Sequence, residues 1–313
     1  STKALYVFLL KLCHKRPRKW ASEYMDSNVI IAEVQPGLKE ATKTRHDENF
    51  PVASWLIPAV LRPHVHVFYS CVRAADDVAD DPDLSANEKK ILLTKMDHAL
   101  LGKKESDEVT RFAHGHRMSA MESGVPIDHA RHLLQAFMMD ITKLRYRNWS
   151  ELINYCLHSA APVGRFLVDL HGGSDSAKPY TDALCNALQI LNHLQDCQDD
   201  YRSLNRVYIP ADYFRNEGCN VTDLDCSSCS PAMRRVLDHV LDRTDELLVR
   251  ARPGPAQITN FGLRLETAVI ISIAEKLSVT LRRMDPLAKR IKLSKFQNIS
   301  AALRGLIRGS LAR

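Results

Sequence analysis

The stretch RAADDVADDPD, residues 73–83, places five aspartates in eleven positions: Asp76, Asp77, Asp80, Asp81 and Asp83. It follows an apolar run, HVHVFYSCV, at residues 64–72. If both runs form one helix, three- and four-residue spacing puts Val65, Tyr69, Val72, Asp76 and Asp80 on a single face. The acids then continue a buried stripe. Pro82 disfavours helix immediately before it, so these carboxylates sit near a helix C-terminus. That end carries the negative pole of the helix and is the unfavourable end for negative charge. Such a placement asks for a counter-cation.

Outward from this stretch, helical periodicity dominates. HARHLLQAFMMDITKL, DALCNALQILNHLQDC, MRRVLDHVLDRTDELLVRA and GLRLETAVIISIAEKLSVTLRRM all carry it. Only NRVYIP, at residues 205–210, has the β-branched and aromatic content of an extended turn. No repeats occur, and no alternation of strands and helices points to a parallel sheet. The expected fold is all-α and single-domain, over residues 41–313. Residues 1–40 read as a basic, apolar N-terminal extension that is poorly ordered or touches a membrane or a partner.

The chain of 313 residues is 45% hydrophobic and 26% charged, with a net charge of +6. This is an ordinary globular balance with ample material for a core. The positive balance suits anionic ligands or anionic lipid headgroups. Nucleic acid is not expected, because zinc-finger and RNA-recognition signatures and basic–aromatic interleaving are absent. No apolar run reaches the length of a membrane span, and ALYVFLL is too short and poorly flanked for a signal peptide. The eight scattered cysteines read as free thiols of a reducing compartment. The expected location is cytoplasmic, either in solution or peripheral on the inner face of the membrane. Cys219, Cys226, Cys229 and His239 match no standard zinc knuckle. The glycine pair of GLIRG has membrane-dimer spacing, but Arg304 and Arg308 argue against that setting.

A second acidic constellation lies in NALQILNHLQDCQDDYRSLNRVYIP. Gln189, Asn192, Asp196 and Asp200 are spaced by three, four and four, again on one helical face. A single such cluster is as readily a solvated helix end as a site. Two, each following an apolar stripe, are not an accident of composition. Burying these carboxylates unpaired costs several kcal/mol per charge, so a cation is expected. An all-oxygen donor set suits magnesium, which takes a few carboxylates and completes its shell with substrate phosphate. Two acidic helix ends bridged by magnesium would clamp a diphosphate, and the apolar helices around them would shelter an apolar ligand and a carbocation.

At this point the sequence resembles the squalene/phytoene synthase family of trans-head-to-head isoprenyl diphosphate synthases. The paired family signatures match Arg73–Asp76–Asp77–Asp80 and Asn192–Asp196–Asp200, and Gln189 and Arg206–Val207–Tyr208 also fit. The resemblance covers roughly residues 44–295. Within the family, HDENFPVAS, FMMDITKLRY, YCLHSAAPVGRFL and RVYIP are most similar to bacterial hydroxysqualene synthases of hopanoid pathways. Ala161 stands where that subgroup's phrase usually has Asn.

The resemblance implies an isoprenoid synthase fold around a central apolar cavity. It implies magnesium on Asp76, Asp77, Asp80, Asn192, Asp196 and Asp200, several ions binding together with the diphosphate, and no NADPH. Arg73 would contact the diphosphate, which its planar guanidinium suits; read alone, it is a surface salt bridge worth little. His46, Asn49 and Phe50 would lie beside the diphosphate, and Tyr69 and Tyr155 near the reacting carbons. Val163 and Gly164 would lie where a helix opens beside the prenyl chain, with a simple kink as an equal reading of the glycine. The implied reaction is presqualene diphosphate plus water giving hydroxysqualene. Its partners would be enzymes that make presqualene diphosphate and reduce hydroxysqualene. The alternatives are condensation of two farnesyl diphosphates to presqualene diphosphate, NADPH-dependent squalene synthesis, and a non-catalytic prenyl-diphosphate-binding protein.

Overall fold

The structure, a computed structural model, describes residues 56–103 and 106–312. The extension at residues 1–40, and with it His46, Asn49 and Phe50, lies outside the described residues. The helices are α1 (Arg62–Asp80), α2 (Ala86–Leu100), α3 (Arg111–Ser123), α4 (Asp128–Thr142), α5 (Trp149–Ser159) and α6 (Ala161–Leu170). They continue with α7 (Lys178–Gln195), α8 (Cys197–Leu204), α9 (Ala211–Asn216), α10 (Pro231–Ala251), α11 (Phe261–Arg283) and α12 (Lys295–Leu311). Among the described residues the only extended pairing is an isolated parallel bridge between Arg145 and Val207. The all-α expectation holds, and the turn expected in NRVYIP is that bridge.

Local chemistry sets the ends of the elements. α1 starts with a proline in its first turn and stops at Asp80; Asp81, before Pro82, is extended at ψ 117°. Ser230 caps α10 by accepting from the Met233 N–H at 3.1 Å, and Asn260 caps α11 through the Leu263 N–H at 3.0 Å. Helices α7 and α11 are buried nearly all round: every residue from Ala183 to Gln195 and from Leu265 to Ala274 is covered. A helix apolar on most of its circumference belongs at the centre of a bundle. α10, α6 and α5 surround α7, and α12 lies along α11.

The α11–α12 contact explains the glycine pair. A Cβ on Gly305 would stand 2.4 Å from the Val269 Cα, and one on Gly309 would stand 3.0 Å from the Ala268 Cβ. Only glycine lets the two backbones come this close. The small-residue spacing does pack one helix on another, but inside this chain. Among the described residues no helix is long and apolar enough to cross a membrane.

Candidate active site

The first acidic motif ends α1, as expected. Asp76 is buried and Asp77 exposed. Arg73, one turn earlier, pairs with Asp77 at 2.5 Å and Asp76 at 3.3 Å, so its own helix already supplies partners for the guanidinium. Asp80 accepts from the Arg206 Nη1 at 2.8 Å. Tyr69 is half-buried against the core.

The second motif is not on one unbroken helix. α7 stops at Gln195, Asp196 leaves helical geometry at φ −108°, ψ 10°, and α8 restarts at Cys197. The break is shallow. The Asp196 N–H still bonds to the Asn192 carbonyl at 3.0 Å and the Asp200 N–H to the Asp196 carbonyl at 2.8 Å. Asn192, Asp196 and Asp200 therefore remain on consecutive turns, all buried. The Asp196 carboxylate accepts a two-pronged contact from Arg290, at 2.6 Å from Nε and 3.1 Å from Nη2, the geometry in which Arg holds a carboxylate best. His193 Nδ1 lies 4.0 Å from Asp200.

A left-handed residue joins the two motifs. Asn205 closes α8 at φ 50°, a conformation asparagine tolerates better than most side chains. Arg145 grips it, with Nη2 2.6 Å from the Asn205 Oδ1. The chain then turns so that the buried Arg206 reaches back to Asp80. Burial works against the Arg206 charge, but Asp140, Tyr208 and Asp80 outweigh it and hold the group more firmly protonated than usual.

Asp140 on α4 is a site residue that the sequence reading missed. It is 3% exposed and accepts from the Tyr155 hydroxyl at 2.8 Å and the Tyr208 hydroxyl at 3.3 Å. Burial raises its pKa, against the pull of Arg206. Burial, followed by the Asp140 charge, pushes the Tyr155 and Tyr208 hydroxyls well above their usual range, so both stay protonated donors. His193 stacks on the Tyr208 ring at 3.5 Å and 12°, and burial lowers its pKa to about 4. It is neutral near pH 7. The Gln189 amide nitrogen lies 3.3 Å from the His193 Nε2. A signal for Asp140 was available: it follows Leu133, Ala136 and Phe137 on the buried face of α4. Arg290 lies in KRIKLSK, where it is indistinguishable from a solvated basic run.

Val163 and Gly164 lie on α6 against α7. A Cβ on Gly164 would meet the Cys185 Sγ at 2.8 Å and the Thr181 Cβ at 3.2 Å. Close helix approach is thus the reason for this glycine. It also lines a mostly apolar cavity with Leu184, Leu188, Ile270 and Glu266. Thr181, Leu184, Cys185 and Leu188 run along the α7 face that continues into Asn192.

Guanidinium groups stand beside these acids: Arg73 and Arg206 on one motif, Arg290 on the other. Among the described residues no three His, Cys, Asp or Glu side chains group closely enough to form a metal cage. Cys219 is buried, Cys226 exposed, and His239 pairs with Glu217 at 2.8 Å.

The fold and this arrangement define the class: the chain belongs to the squalene/phytoene synthase family, whose model matches residues 43–297. Among particular relatives it is 45% identical to a hydroxysqualene synthase of Rhodopseudomonas palustris over 83% of this chain and 88% of that one. It is 43% identical to a hydroxysqualene synthase of Sinorhizobium fredii, over 79% and 84%. Among solved structures it resembles the squalene synthase HpnC of Alicyclobacillus acidocaldarius, with TM-score 0.65 and 26% identity over 74% of this chain and 86% of that one.

Proposed function

We propose that the chain converts presqualene diphosphate and water to hydroxysqualene and diphosphate. The observation that carries this reading is 39–45% identity, over about four-fifths of the chain, to relatives that bear that name. Both acidic motifs are present in full.

The donors of these motifs fit magnesium. Asp76, Asp77, Asp80, Asn192, Asp196 and Asp200 form an all-oxygen set, and magnesium needs only one or two carboxylates per ion when substrate phosphate completes its shell. A ready three-ligand cage is not required. Bound there with the substrate, the ions supply charge stabilisation for the departing diphosphate. The chain's own part is to place charge and exclude water. The guanidinium fork matches phosphate as well as carboxylate oxygens, so Arg73 and Arg206 are the cations offered to the diphosphate. Asp140 holds the Tyr155 and Tyr208 hydroxyls in one orientation. Tyr208 stacks with His193 and Tyr146, and Tyr155 lies tilted against Tyr146; such an aromatic cluster favours positive charge developing beside it. NADPH is not part of this reaction, and water is the nucleophile. His46, Asn49 and Phe50 would complete the diphosphate side. Enzymes that form presqualene diphosphate and reduce hydroxysqualene would act before and after this one.

The test offers purified protein presqualene diphosphate or farnesyl diphosphate with magnesium, each with and without NADPH, in isotope-labelled water. A thirty-carbon alcohol carrying the label, formed from presqualene diphosphate without NADPH, is the expected product. Presqualene diphosphate accumulating from farnesyl diphosphate would move the chain to the preceding step. Squalene formed only with NADPH would make it a complete squalene synthase.

A further inference from the structure

Helix α12 carries an exposed apolar stripe that the function above does not use. Phe296, Ile299, Leu303, Ile307 and Leu311 are 80%, 59%, 56%, 63% and 76% exposed. Their spacing of three, four, four and four residues stacks them on one face. At about 100° per residue, this face lies roughly opposite Ala301, Gly305 and Gly309, which press against α11. Single exposed apolar side chains need no explanation, but a continuous stripe of five does.

The flanks of the stripe are basic. Lys295 and Arg304 are exposed, and Arg304 and Arg308 line a groove with Arg252 and Lys276 between α10, α11 and α12. The groove's acids are Asp245 and Glu275. One Glu275 carboxylate is shared by Arg252 at 2.7 Å and Arg308 at 2.8 Å, so the groove keeps a positive balance. A second copy of this helix set against the first would bring these cations together. An anionic surface would be attracted by them. An apolar stripe flanked by Lys and Arg is the pattern of a helix lying in the plane of a lipid interface.

We propose that α12 is the chain's contact with an anionic lipid bilayer. The stripe enters the boundary between headgroups and acyl chains. Lys295 and Arg304 extend to the lipid phosphates along its edges, as long cationic side chains do at such boundaries. The proposal does not depend on which reaction the chain catalyses.

The test is flotation of the full chain with vesicles of phosphatidylcholine alone or of phosphatidylcholine with phosphatidylglycerol. Binding to the mixed vesicles at least tenfold tighter than to the neutral ones, and weakening with salt, is expected. The double variant Leu303→Glu/Ile307→Glu should lose at least tenfold in binding to mixed vesicles, with an unchanged melting temperature and unchanged turnover on detergent-dispersed substrate. Phe296→Trp should show a blue-shifted emission when mixed vesicles are added, a readout that holds even if the double variant misfolds. Three results overturn the proposal: wild-type chain that ignores mixed vesicles, no emission shift, or full binding by a well-folded double variant, which would place the contact in residues 1–40. A wild-type dimer that the double variant makes monomeric would assign the stripe to a second copy instead.

Discussion

At the end of α1, Asp76, Asp77 and Asp80 stand on one unbroken helix. Their partners are Arg73 from the same helix and Arg206 from the chain beyond α8. At the α7–α8 junction, Asn192, Asp196 and Asp200 straddle a helix break, and Asp196 is held by Arg290, 94 residues away in sequence. The two motifs look equivalent in sequence and differ in anchoring. Arg73 lies 32% exposed beside an exposed Asp77, where water competes for every contact. Asp196 is 4% exposed, and its ion pair ties the segment before α12 to the centre of the bundle. The exposed Arg73–Asp77 end of the first motif should therefore serve ligand binding alone, while the more buried Asp80–Arg206 and Asp196–Arg290 pairs serve ligand binding and folding together.

The largest expected effect ignores that difference. Asp76→Asn and Asp196→Asn should each lower magnesium-dependent turnover by about a thousandfold, the scale of removing a group that stabilises transition-state charge. Turnover by wild type in excess EDTA, or full activity in both variants, would sink the magnesium reading.

Stability should separate Arg290 from Arg73. Arg290→Leu leaves the Asp196 carboxylate buried without its guanidinium, and breaking such a pair costs about 3–5 kcal/mol. Because Arg290 is a quarter exposed, the lower end of that range is expected in denaturant unfolding. Adding Asp196→Asn to Arg290→Leu should restore much of the loss. An additive double variant would mean that Arg290 acts through other contacts and that the second motif is not a structural tie.

A third carboxylate sharpens the comparison because no cation pairs with it among the described residues. Glu266 on α11 is 1% exposed, and neither oxygen has a hydrogen-bond partner among the described residues. Burial raises its pKa well above the usual 4.5, so the folded chain keeps the proton. Above about pH 4.5 the unfolded chain binds fewer protons at this residue than the folded one, and stability falls as pH rises. Glu266→Leu removes both this dependence and the orphaned polar group. The variant should be more stable than wild type by about 1–3 kcal/mol near pH 7, with the gain shrinking as pH falls through 4.5. A destabilised variant at neutral pH would show that the acid has a partner in solution.

Much of this site was legible because aspartates in an apolar stripe violate the rule for helix surfaces. Pro82 located the end of α1, and three- and four-residue spacing located Asp196 and Asp200. The partners were not legible. Asp140 was passed over as one acid in an apolar phrase, and Arg290 lies in a run of lysines and arginines that resembles any solvated surface. Periodicity describes one helix at a time. Which arginine reaches which carboxylate depends on chain turns such as the left-handed Asn205, and on helices that meet only in the folded bundle. Arg206 beside Asp80 and Arg290 beside Asp196 are contacts of that kind, and spacing along one helix does not disclose them.

The smallest effect tests the exposed half of the comparison. Arg73→Ala removes contacts to Asp76 and Asp77 three and four residues along the same helix. Pairs of this kind contribute at most about 1 kcal/mol, because water screens them and the long side chain loses entropy when it is held. The expected change in unfolding free energy is therefore a few tenths of a kcal/mol, vanishing at high salt. Turnover measured on the same preparation has a different expectation. If Arg73 leaves the aspartates to meet the diphosphate, the variant should lose rate well beyond its loss of stability, and Arg73→Lys should recover only part of it, since a point charge lacks the guanidinium fork. A loss of 3 kcal/mol or more in stability would place Arg73 beside Arg290 as a structural tie and end the distinction between exposed and buried anchors. Unchanged turnover with unchanged stability would leave Arg73 as an ordinary surface ion pair and pass the diphosphate contact on this side of the site to Arg206.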